Sequence, residues 1–547
     1  MTRLGGHVIA DQLVAQGVDT VFGVAGESFL SVLDGLWERR DQIRYVGARH
    51  EATASHMAEA WGKLTGRPGV CLATRGPGAT HASIGVHTAF QDSTPMLLLL
   101  GQVRREHQGR EAFQEVDLPA MFAPLAKWAA QIETADDIPE MLGRAFEIAL
   151  ADRPGPVVLA LPEDMQREET AAADAPFAEP ALREPDPAEL DRLHTWLGDA
   201  AQPLVIVGGP RWSQLSADAL AEWAVGSAVP VAAQFRRQDH IDNTSPAYVG
   251  DLGLGTNPAL EARVAEADLV LLLGGRFGEI PSGGYTRLPV ERRLGHLVAH
   301  VHAEPSELGR TWHPDLAIAA AAPLVADGLV ARGPLGRQPR AMWAQSLRGD
   351  YETWSEPTAR DLAGVDLGHV VQHLREMLPD DAVITNGAGN YTVWIHRYYR
   401  HRRYGTQLAP TSGALGYGIP AAIAAALHDP SRTVVAFAGD GCFQMAGHEL
   451  ATAVQVGARI IVLVCDNGML GTIRMHQERT FPGHVEGTAL ANPDFAALAI
   501  AYGCHGERVE CDADFAAAFA RALAADGPAL IHLVCDPRAI TPGALLA

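Results

Sequence analysis

Short apolar runs recur along the chain and alternate with longer stretches of mixed polarity. They lie at residues 21–24, 69–73, 96–100, 156–161, 204–207, 229–234, 269–273, 297–302, 434–438 and 460–465. Runs that are apolar throughout are typical of parallel strands that helices cover on both faces. The pattern predicts an α/β protein with three consecutive open parallel-sheet domains.

Two stretches of irregular composition separate the three blocks. Residues 166–190 are rich in Pro, Ala and charged residues, and residues 332–362 are rich in Pro, Gly and Arg. Such composition with little periodicity predicts linkers. The domains are therefore expected at 1–165, 191–331 and 363–547.

Bulk composition narrows the class of protein. A chain of 547 residues is too long for one core, and 47% hydrophobic residues exclude disorder over most of it. The net charge of −22 argues against a nucleic-acid partner, which requires a basic face. The one basic cluster, residues 396–403, is interpreted as a solvated or interface segment.

The cysteines and the N-terminus bear on the compartment. Six cysteines are scattered without a CxxC pair, which is typical of a reducing cytoplasm. Residues 2–17 predict an amphipathic helix rather than a signal peptide, and no run is long enough for a membrane span. We expect a cytoplasmic protein without a membrane partner.

The most informative stretch is 434–477. One apolar run ends in Gly439-Asp440-Gly441, and a second ends in Asp466-Asn467-Gly468. Parallel strands end at the same edge of a sheet, where ligands bind. Carboxylate and amide oxygens completed by phosphate suit Mg²⁺, and a helix N-terminus suits a diphosphate. An isolated Gly-Asp-Gly is also an ordinary turn, so the argument rests on the pair of motifs.

This pair of motifs resembles the thiamine-diphosphate motif, in the acetolactate-synthase-like branch of that superfamily. The resemblance extends over essentially the whole chain. It implies a pyrimidine-binding first domain, a Rossmann-like middle domain and a diphosphate-binding third domain. It also implies that the side chains of Asp440 and Asn467 and the carbonyl of Met469 bind Mg²⁺.

Further cofactor contacts are implied by position. Asn390 and Tyr391 stand where acetolactate synthases usually have Gln and His. The resemblance therefore implies the same role for the backbone N–H groups, which is to bind phosphate, and leaves the side-chain contacts open. Leu415 would support the bent thiamine, and the Gly413 carbonyl would accept from its 4′-amino group; packing alone is the alternative for Leu415. The remaining implied positions are Gly76, Ala388, Gly389, Gly439, Gly441, Cys442 and Leu470.

Glu51 is the expected catalytic residue. Alone it would be read as a surface glutamate, but thiamine chemistry needs a carboxyl group against the aminopyrimidine ring. Donation to ring atom N1′ favours the imino tautomer, whose 4′ nitrogen takes the proton from C2. Gln114 is a second catalytic candidate, implied by the resemblance.

Substrate contacts follow from the same resemblance. Phe113, Gln114 and Lys127 match the synthase pattern. Ser28 lies where synthases have a small residue, and His81 replaces the usual Asn after the Gly-Pro-Gly loop, so a pocket for pyruvate alone is in doubt. The favoured interpretation of His81 and His87 is nevertheless structural.

The middle domain raises the question of a flavin. Gly208-Gly209 and Gly274-Gly275 follow strands and could approach a nucleotide. The segment 275–277 resembles part of the flavin segment of the synthases, which implies FAD, whereas 278–281 departs from the usual acidic pair.

The expected function is decarboxylation of a small 2-keto acid on thiamine diphosphate, with joining of the remaining fragment to a second carbonyl. One alternative is a decarboxylase or lyase that releases free aldehyde. Another is a catalytically silent cofactor-binding homologue. The resemblance implies a homodimer with shared active sites, and a homotetramer made of two such dimers.

Overall fold

The computed structural model describes residues 2–288, 296–336 and 340–546. Three parallel sheets, each of six strands, follow one another along the chain. This confirms the predicted fold class. Among the described residues, no helix combines the length and apolar character needed to cross a bilayer.

The first sheet has the spatial order β3-β2-β4-β5-β7-β6. A short pair, β1 (Arg3–Leu4) and β8 (Glu169–Thr170), closes the domain. The strands are β2 (Thr20–Gly23), β3 (Arg44–Gly47), β4 (Gly69–Ala73), β5 (Met96–Gln102), β6 (Trp128–Gln131) and β7 (Pro156–Pro162). The helices are α1 (Gly5–Ala15), α2 (Leu30–Glu38), α3 (Glu51–Thr65), α4 (Gly76–Asp92), α5 (Leu118–Phe122) and α6 (Ile138–Leu150).

The middle sheet has the order β11-β10-β9-β12-β13-β14, the doubly wound order of Rossmann domains. Its strands are β9 (Pro203–Val207), β10 (Val231–Gln234), β11 (Tyr248–Leu252), β12 (Leu269–Leu273), β13 (Leu297–Val301) and β14 (Leu316–Ile318). Its helices are α7 (Pro187–Asp199), α8 (Gln214–Ser227), α9 (Pro258–Glu266) and α10 (Ala322–Ala331).

A further helix lies where the composition predicts the second linker. Helix α11 (Ala341–Trp354) packs against α9 and β11. Its buried residues, Trp343, Leu347 and Tyr351, recur every four positions and form one apolar stripe. Because charged residues lie between these positions, the average composition of the segment does not indicate an amphipathic helix.

The third sheet has the order β16-β15-β17-β18-β20-β19. Its strands are β15 (Val383–Asn386), β16 (Gln407–Leu408), β17 (Val434–Gly439), β18 (Ile461–Asp466), β19 (His505–Val509) and β20 (Ala529–Val534), followed by the hairpin β21 (Ala539–Thr541) and β22 (Ala544–Leu545). Its helices are α12 (Leu367–Met377), α13 (Thr392–Tyr398), α14 (Gly418–His428), α15 (Asp440–Gln444), α16 (Leu450–Val456), α17 (Gly471–Thr480), α18 (Phe495–Ala501) and α19 (Asp512–Ala524).

The first and third domains share a core. Helix α3 packs against α14, and a single hydrophobic cluster includes Met57 and Trp61 from the former and Ile423 from the latter. At its edge, Lys63 lies 2.6 Å from Asp92 and 3.1 Å from Glu59. Lys63 also donates to the Ala409 carbonyl of the third domain at 3.1 Å, so this cluster links the two domains of one chain.

Candidate active site

A cavity of about 780 Å³ opens at the carboxyl edge of the third sheet. This volume lies in the range of cofactor pockets. It is lined by every cofactor position predicted in the third domain, namely Ala388, Gly389, Asn390, Gly413, Leu415, Gly439, Asp440, Gly441, Cys442, Asn467, Met469 and Leu470. The loops after β15, β17 and β18 bring them together, because parallel strands end at one edge.

Asp440 begins α15 directly after β17 and is buried. Its Oδ1 accepts from the N–H of Gly441 at 2.8 Å. The amide of Asn492 donates to Asp440 Oδ2 at 2.8 Å and to Asp466 Oδ1 at 2.7 Å. Burial, together with the neighbouring Asp466, raises the pKa of Asp440 to about 6. A divalent cation would offset the cost of keeping this carboxylate charged, so the residues fit Mg²⁺.

Asn467 and Met469 follow β18 and complete this oxygen-rich corner. The side-chain oxygen of Asn467 accepts from the N–H of Met469 at 3.3 Å. The Met469 carbonyl accepts from the N–H of Gly471 at 2.9 Å. A carbonyl has a second lone pair, so this bond leaves it able to bind a cation. His532 Nε2 lies 2.8 Å from Asp466 Oδ2 and fixes the orientation of that carboxylate.

The side chains of Thr472 and Tyr391 fix the loop that follows β15. Thr472, at the start of α17, donates to Asn390 Oδ1 and accepts from the N–H of Asn390, both at 2.9 Å. Tyr391 is buried and packs under the other loop, where a Cβ at Gly439 would lie 2.8 Å from its ring. Asn390 and Tyr391 therefore brace the backbone on both sides of the predicted diphosphate site.

Gly413 and Leu415 form the apolar wall of the cavity. Gly413 has φ 71°, which favours glycine, and its Cβ direction is open to a distance of 4 Å. Leu415 packs against the buried cluster of the third domain and also lines the cavity. This wall suits the faces of flat aromatic rings such as those of thiamine.

Glu51 lies at a different place, the carboxyl edge of the first sheet. It follows β3 as the first residue of α3, and the His50 side chain caps the helix by accepting from the N–H of Ala52 at 3.1 Å. Its Oε2 lies 2.9 Å from His81 Nδ1. A Cβ at Gly78 would lie 3.4 Å from its Oε1, so the Gly-Pro-Gly loop faces the carboxyl group.

The first domain contributes none of the described residues that line the 780 Å³ cavity. Gly76, the other predicted cofactor contact of this domain, donates its N–H to the Gln114 carbonyl at 3.0 Å. A Cβ there would lie 2.9 Å from that oxygen, so packing of the loop already requires glycine. Within one chain, the structure does not bring Glu51 and Gly76 to the metal end.

The structure shows the surroundings of the predicted substrate contacts. Ser28 is fully buried, and its hydroxyl lies 2.7 Å from that of Thr74. Lys127 precedes β6 at the amino edge, opposite Glu51, and donates to the Ile148 and Ala151 carbonyls at 2.5 and 2.9 Å. Burial lowers the pKa of Lys127 to about 8. Its role is to cap the end of α6.

The remaining candidates stay at the carboxyl edge. The Phe113 side chain is exposed, and Gln114 has φ 66°, a strained value for a residue with a side chain. His81 and His87 are both exposed, and His81 bonds to Glu51. Their structural interpretation stays a prediction.

Sequence reasoning missed four residues that shape the two sites. Asn492 lies in an irregular segment without a motif, and Thr472 lies in the first turn of α17, so neither gives a recognisable signal. Near the first site, Arg75 bonds to Glu27 at 3.0 Å and to Glu163 at 3.1 Å. Arg75 and Glu27 are the neighbours of Gly76 and Ser28, two residues that the sequence already indicated as site residues. This proximity in sequence is the signal that could have identified them.

The middle-domain glycines pack against protein rather than open space. A Cβ at Gly209 would lie 2.0 Å from the Gly274 carbonyl, and one at Gly275 would lie 2.1 Å from Gln234. Phe277 is buried, and its carbonyl accepts from Trp312 at 2.9 Å. Mutual packing thus accounts for these glycines, and the flavin stays a prediction.

Comparison with known proteins agrees with this geometry. Three family models match: "Thiamine pyrophosphate enzyme, N-terminal TPP binding domain" at residues 3–121, its central domain at 190–329 and its C-terminal TPP binding domain at 387–533. The acetolactate synthase isozyme 2 large subunit of Escherichia coli is 30% identical over 97% of this chain and 95% of its own length.

Two further relatives come from distant organisms. The acetolactate synthase of Mycobacterium bovis is 31% identical over 93% of this chain and 84% of its own length. The probable acetolactate synthase large subunit of Methanocaldococcus jannaschii is 28% identical over 98% of this chain and 93% of its own length. The chain thus belongs to the thiamine-pyrophosphate enzymes, in their acetolactate-synthase-like branch.

Proposed function

We propose that this protein decarboxylates a 2-keto acid on thiamine diphosphate and joins the remaining fragment to a second carbonyl compound. The observation that carries the proposal is the single cavity in which the predicted metal ligands, glycine loops and apolar wall meet. The relatives named acetolactate synthases support the carboligation step.

In this proposal, Mg²⁺ is held by the side chains of Asp440 and Asn467 and the carbonyl of Met469. The loops at 388–390 and 439–441 hold the diphosphate, and Leu415 shapes the space for the rings. When bound, thiamine diphosphate supplies the electron sink for breaking the bond to the carboxylate. The apolar wall limits water around that bond.

Glu51 exchanges a proton with N1′ of the pyrimidine ring. Because Glu51 does not line the cavity of its own chain, we propose that it acts on cofactor held by a second copy of the chain. The smallest active unit is then a two-fold homodimer, and two dimers form a homotetramer.

Product analysis tests the reaction. The protein is incubated with Mg²⁺, thiamine diphosphate and a panel of 2-keto acids that includes pyruvate, and the expected product is a 2-hydroxy-ketone ligation product. Free aldehyde alone would favour the decarboxylase or lyase alternative. Full cofactor binding without turnover of any 2-keto acid would favour the silent homologue.

A flavin is tested separately. If FAD binds in the middle domain, the purified protein absorbs near 450 nm, as flavins do. Absence of this band after reconstitution with FAD would contradict a flavin site.

A further inference from the structure

His81 and Glu51 meet at the carboxyl edge of the first sheet. His81 lies in the second turn of α4 with 51% of its side chain exposed, and its Nδ1 lies 2.9 Å from Glu51 Oε2. Glu51 itself is 14% exposed. Water therefore reaches the imidazole more easily than the carboxyl group.

The ring of His50 holds His81 in this orientation. The two imidazoles stack with centroids 4.4 Å apart and planes 28° apart. Because His50 Nδ1 accepts from the N–H of Ala52, its proton is on Nε2. Burial and the nearby His81 lower the pKa of His50, so it stays a neutral stacking partner.

Other titratable groups around this pair do not compete for the proton. Burial raises the pKa values of Tyr45 and Cys71, which keeps both neutral near pH 7. His448 lies beyond His50, at 6.0 Å between centroids, and Glu449 is occupied by the N–H of Arg49 at 2.9 Å. Among the groups that surround Glu51, His81 is therefore the exposed one that bonds directly to its carboxyl group.

We propose that His81 is a positioning residue that controls the proton on Glu51. Its Nδ1–H donates to Glu51 Oε2, which directs Oε1 towards the pyrimidine nitrogen. When Oε2 of Glu51 is protonated, neutral His81 is the Nε2–H tautomer and its Nδ1 accepts from Oε2. Glu51 then gives its proton to Nδ1 while Nε2 releases one to water, which leaves an ionised Glu51 bonded to the Nδ1–H of a neutral imidazole. This rests on the proposed function, which supplies the proton acceptor of Glu51.

The contact itself is tested without turnover. Histidines of the full chain are labelled with ¹⁵N, and the His81 signal is identified by its loss in His81→Asn. At a pH well above the usual imidazole pKa of about 6.5, the neutral imidazole of His81 should be the Nδ1–H tautomer. Glu51→Ala removes the acceptor of this proton and should shift the tautomer population. A wild-type His81 that is the Nε2–H tautomer, or a signal unmoved by Glu51→Ala, would overturn the proposal.

The consequence for the reaction is tested by the pH profile of hydrogen–deuterium exchange at C2 of bound thiamine diphosphate. Asparagine can still donate to Glu51 but cannot exchange a proton, so the pH profile of His81→Asn should differ from that of the wild type. The matched control is His87→Asn, which changes an exposed histidine on the same helix and should leave the pH profile unchanged. A profile of His81→Asn that matches the wild type would contradict the proposal. If the wild type shows no exchange at all, the proposed function fails, and the tautomer measurement still decides whether His81 binds Glu51.

Discussion

The first and third domains have the same strand order but different chemistry at equivalent strand ends. In both, the third strand of the sheet by chain order leads into a glycine loop at a helix start: β4 into Gly76-Pro77-Gly78, and β17 into Gly439-Asp440-Gly441. The third domain places a carboxylate between its glycines, whereas the first places a proline. The proposed metal end and the proposed proton-exchanging end therefore lie on one topology.

The second strand of each sheet shows the reverse difference. In the first domain, β3 leads into Glu51, whose carboxyl group faces a histidine. In the third domain, β16 leads into the segment with Gly413 and Leu415, which forms an apolar wall. The residues at strand ends, not the topology, decide which end of an extended cofactor each domain can hold.

Removing the carboxylate of the third domain should have the largest effect. In Asp440→Ala, we expect that Mg²⁺ and thiamine diphosphate no longer bind and that activity falls by more than about 100-fold, because the proposed set of ligands loses its carboxylate. Calorimetric titration measures the binding. Asp526→Ala, at an exposed aspartate of the same domain, is the matched control. Cofactor affinity in Asp440→Ala equal to that of the control would refute the assigned site.

The carboxyl group of the first domain should affect turnover but not cofactor affinity. Glu51→Gln should lower kcat by about 10²–10⁴-fold, because a general acid–base group is lost while the diphosphate end is intact. Steady-state kinetics and cofactor titration measure the two quantities. The exposed Glu147→Gln should match the wild type. Normal exchange at thiamine C2 in Glu51→Gln would show that this residue has no catalytic role.

The metal end should also be the more sensitive of the two to acid. Protons and Mg²⁺ compete for Asp440, whose pKa is raised to about 6 by burial. Affinity for Mg²⁺ should therefore be constant above that pH and fall about tenfold for each pH unit below it. Titrations between pH 5 and 7.5 measure this. Asp440→Asn should bind weakly at every pH, and a wild-type affinity that does not change with pH would contradict the assignment.

The smallest expected effect on activity lies where the two domains of one chain join. Tyr417 donates to Glu59 at 2.5 Å across the interface between α14 and α3. Tyr417→Phe leaves a buried carboxyl group without this donor and should lower the free energy of unfolding by about 1–3 kcal/mol. Urea denaturation measures it, with the exposed Tyr285→Phe as control. Equal midpoints for the two variants would show that the hydrogen bond is not stabilising.

The sequence predicted most interior strands and missed the edge strands, and it also missed the interior strand β20 (Ala529–Val534). Each predicted apolar run became a strand with a neighbour on both sides, as the run at 434–438 did in β17. None of the predictions fell on an edge strand, namely β3, β6, β11, β14, β16 and β19. Edge strands are short or half exposed, as β6 (Trp128–Gln131) is, so their residues need not be continuously apolar.

The residues of the candidate site also differ in how far the sequence could predict them. The lining of the cavity was predictable because Gly439–Gly441 and Asn467 lie next to recognisable strands. The surroundings of Ser28 and Lys127 were not, because they depend on which face and which edge of the sheet each residue occupies, and residue identity does not encode either. The bond between Glu51 and His81 joins two helices and has no signature in the sequence.

The central claim is that Glu51 of one chain acts on cofactor bound by Asp440 of another. Inactive Glu51→Ala and Asp440→Ala chains, carrying different affinity tags, are refolded together, and the doubly tagged dimer is isolated and assayed. Such a dimer contains one site with both residues intact, so we predict activity close to half that of the wild type, against background for either variant alone. Doubly tagged dimers that form and bind thiamine diphosphate but remain inactive would contradict the shared site.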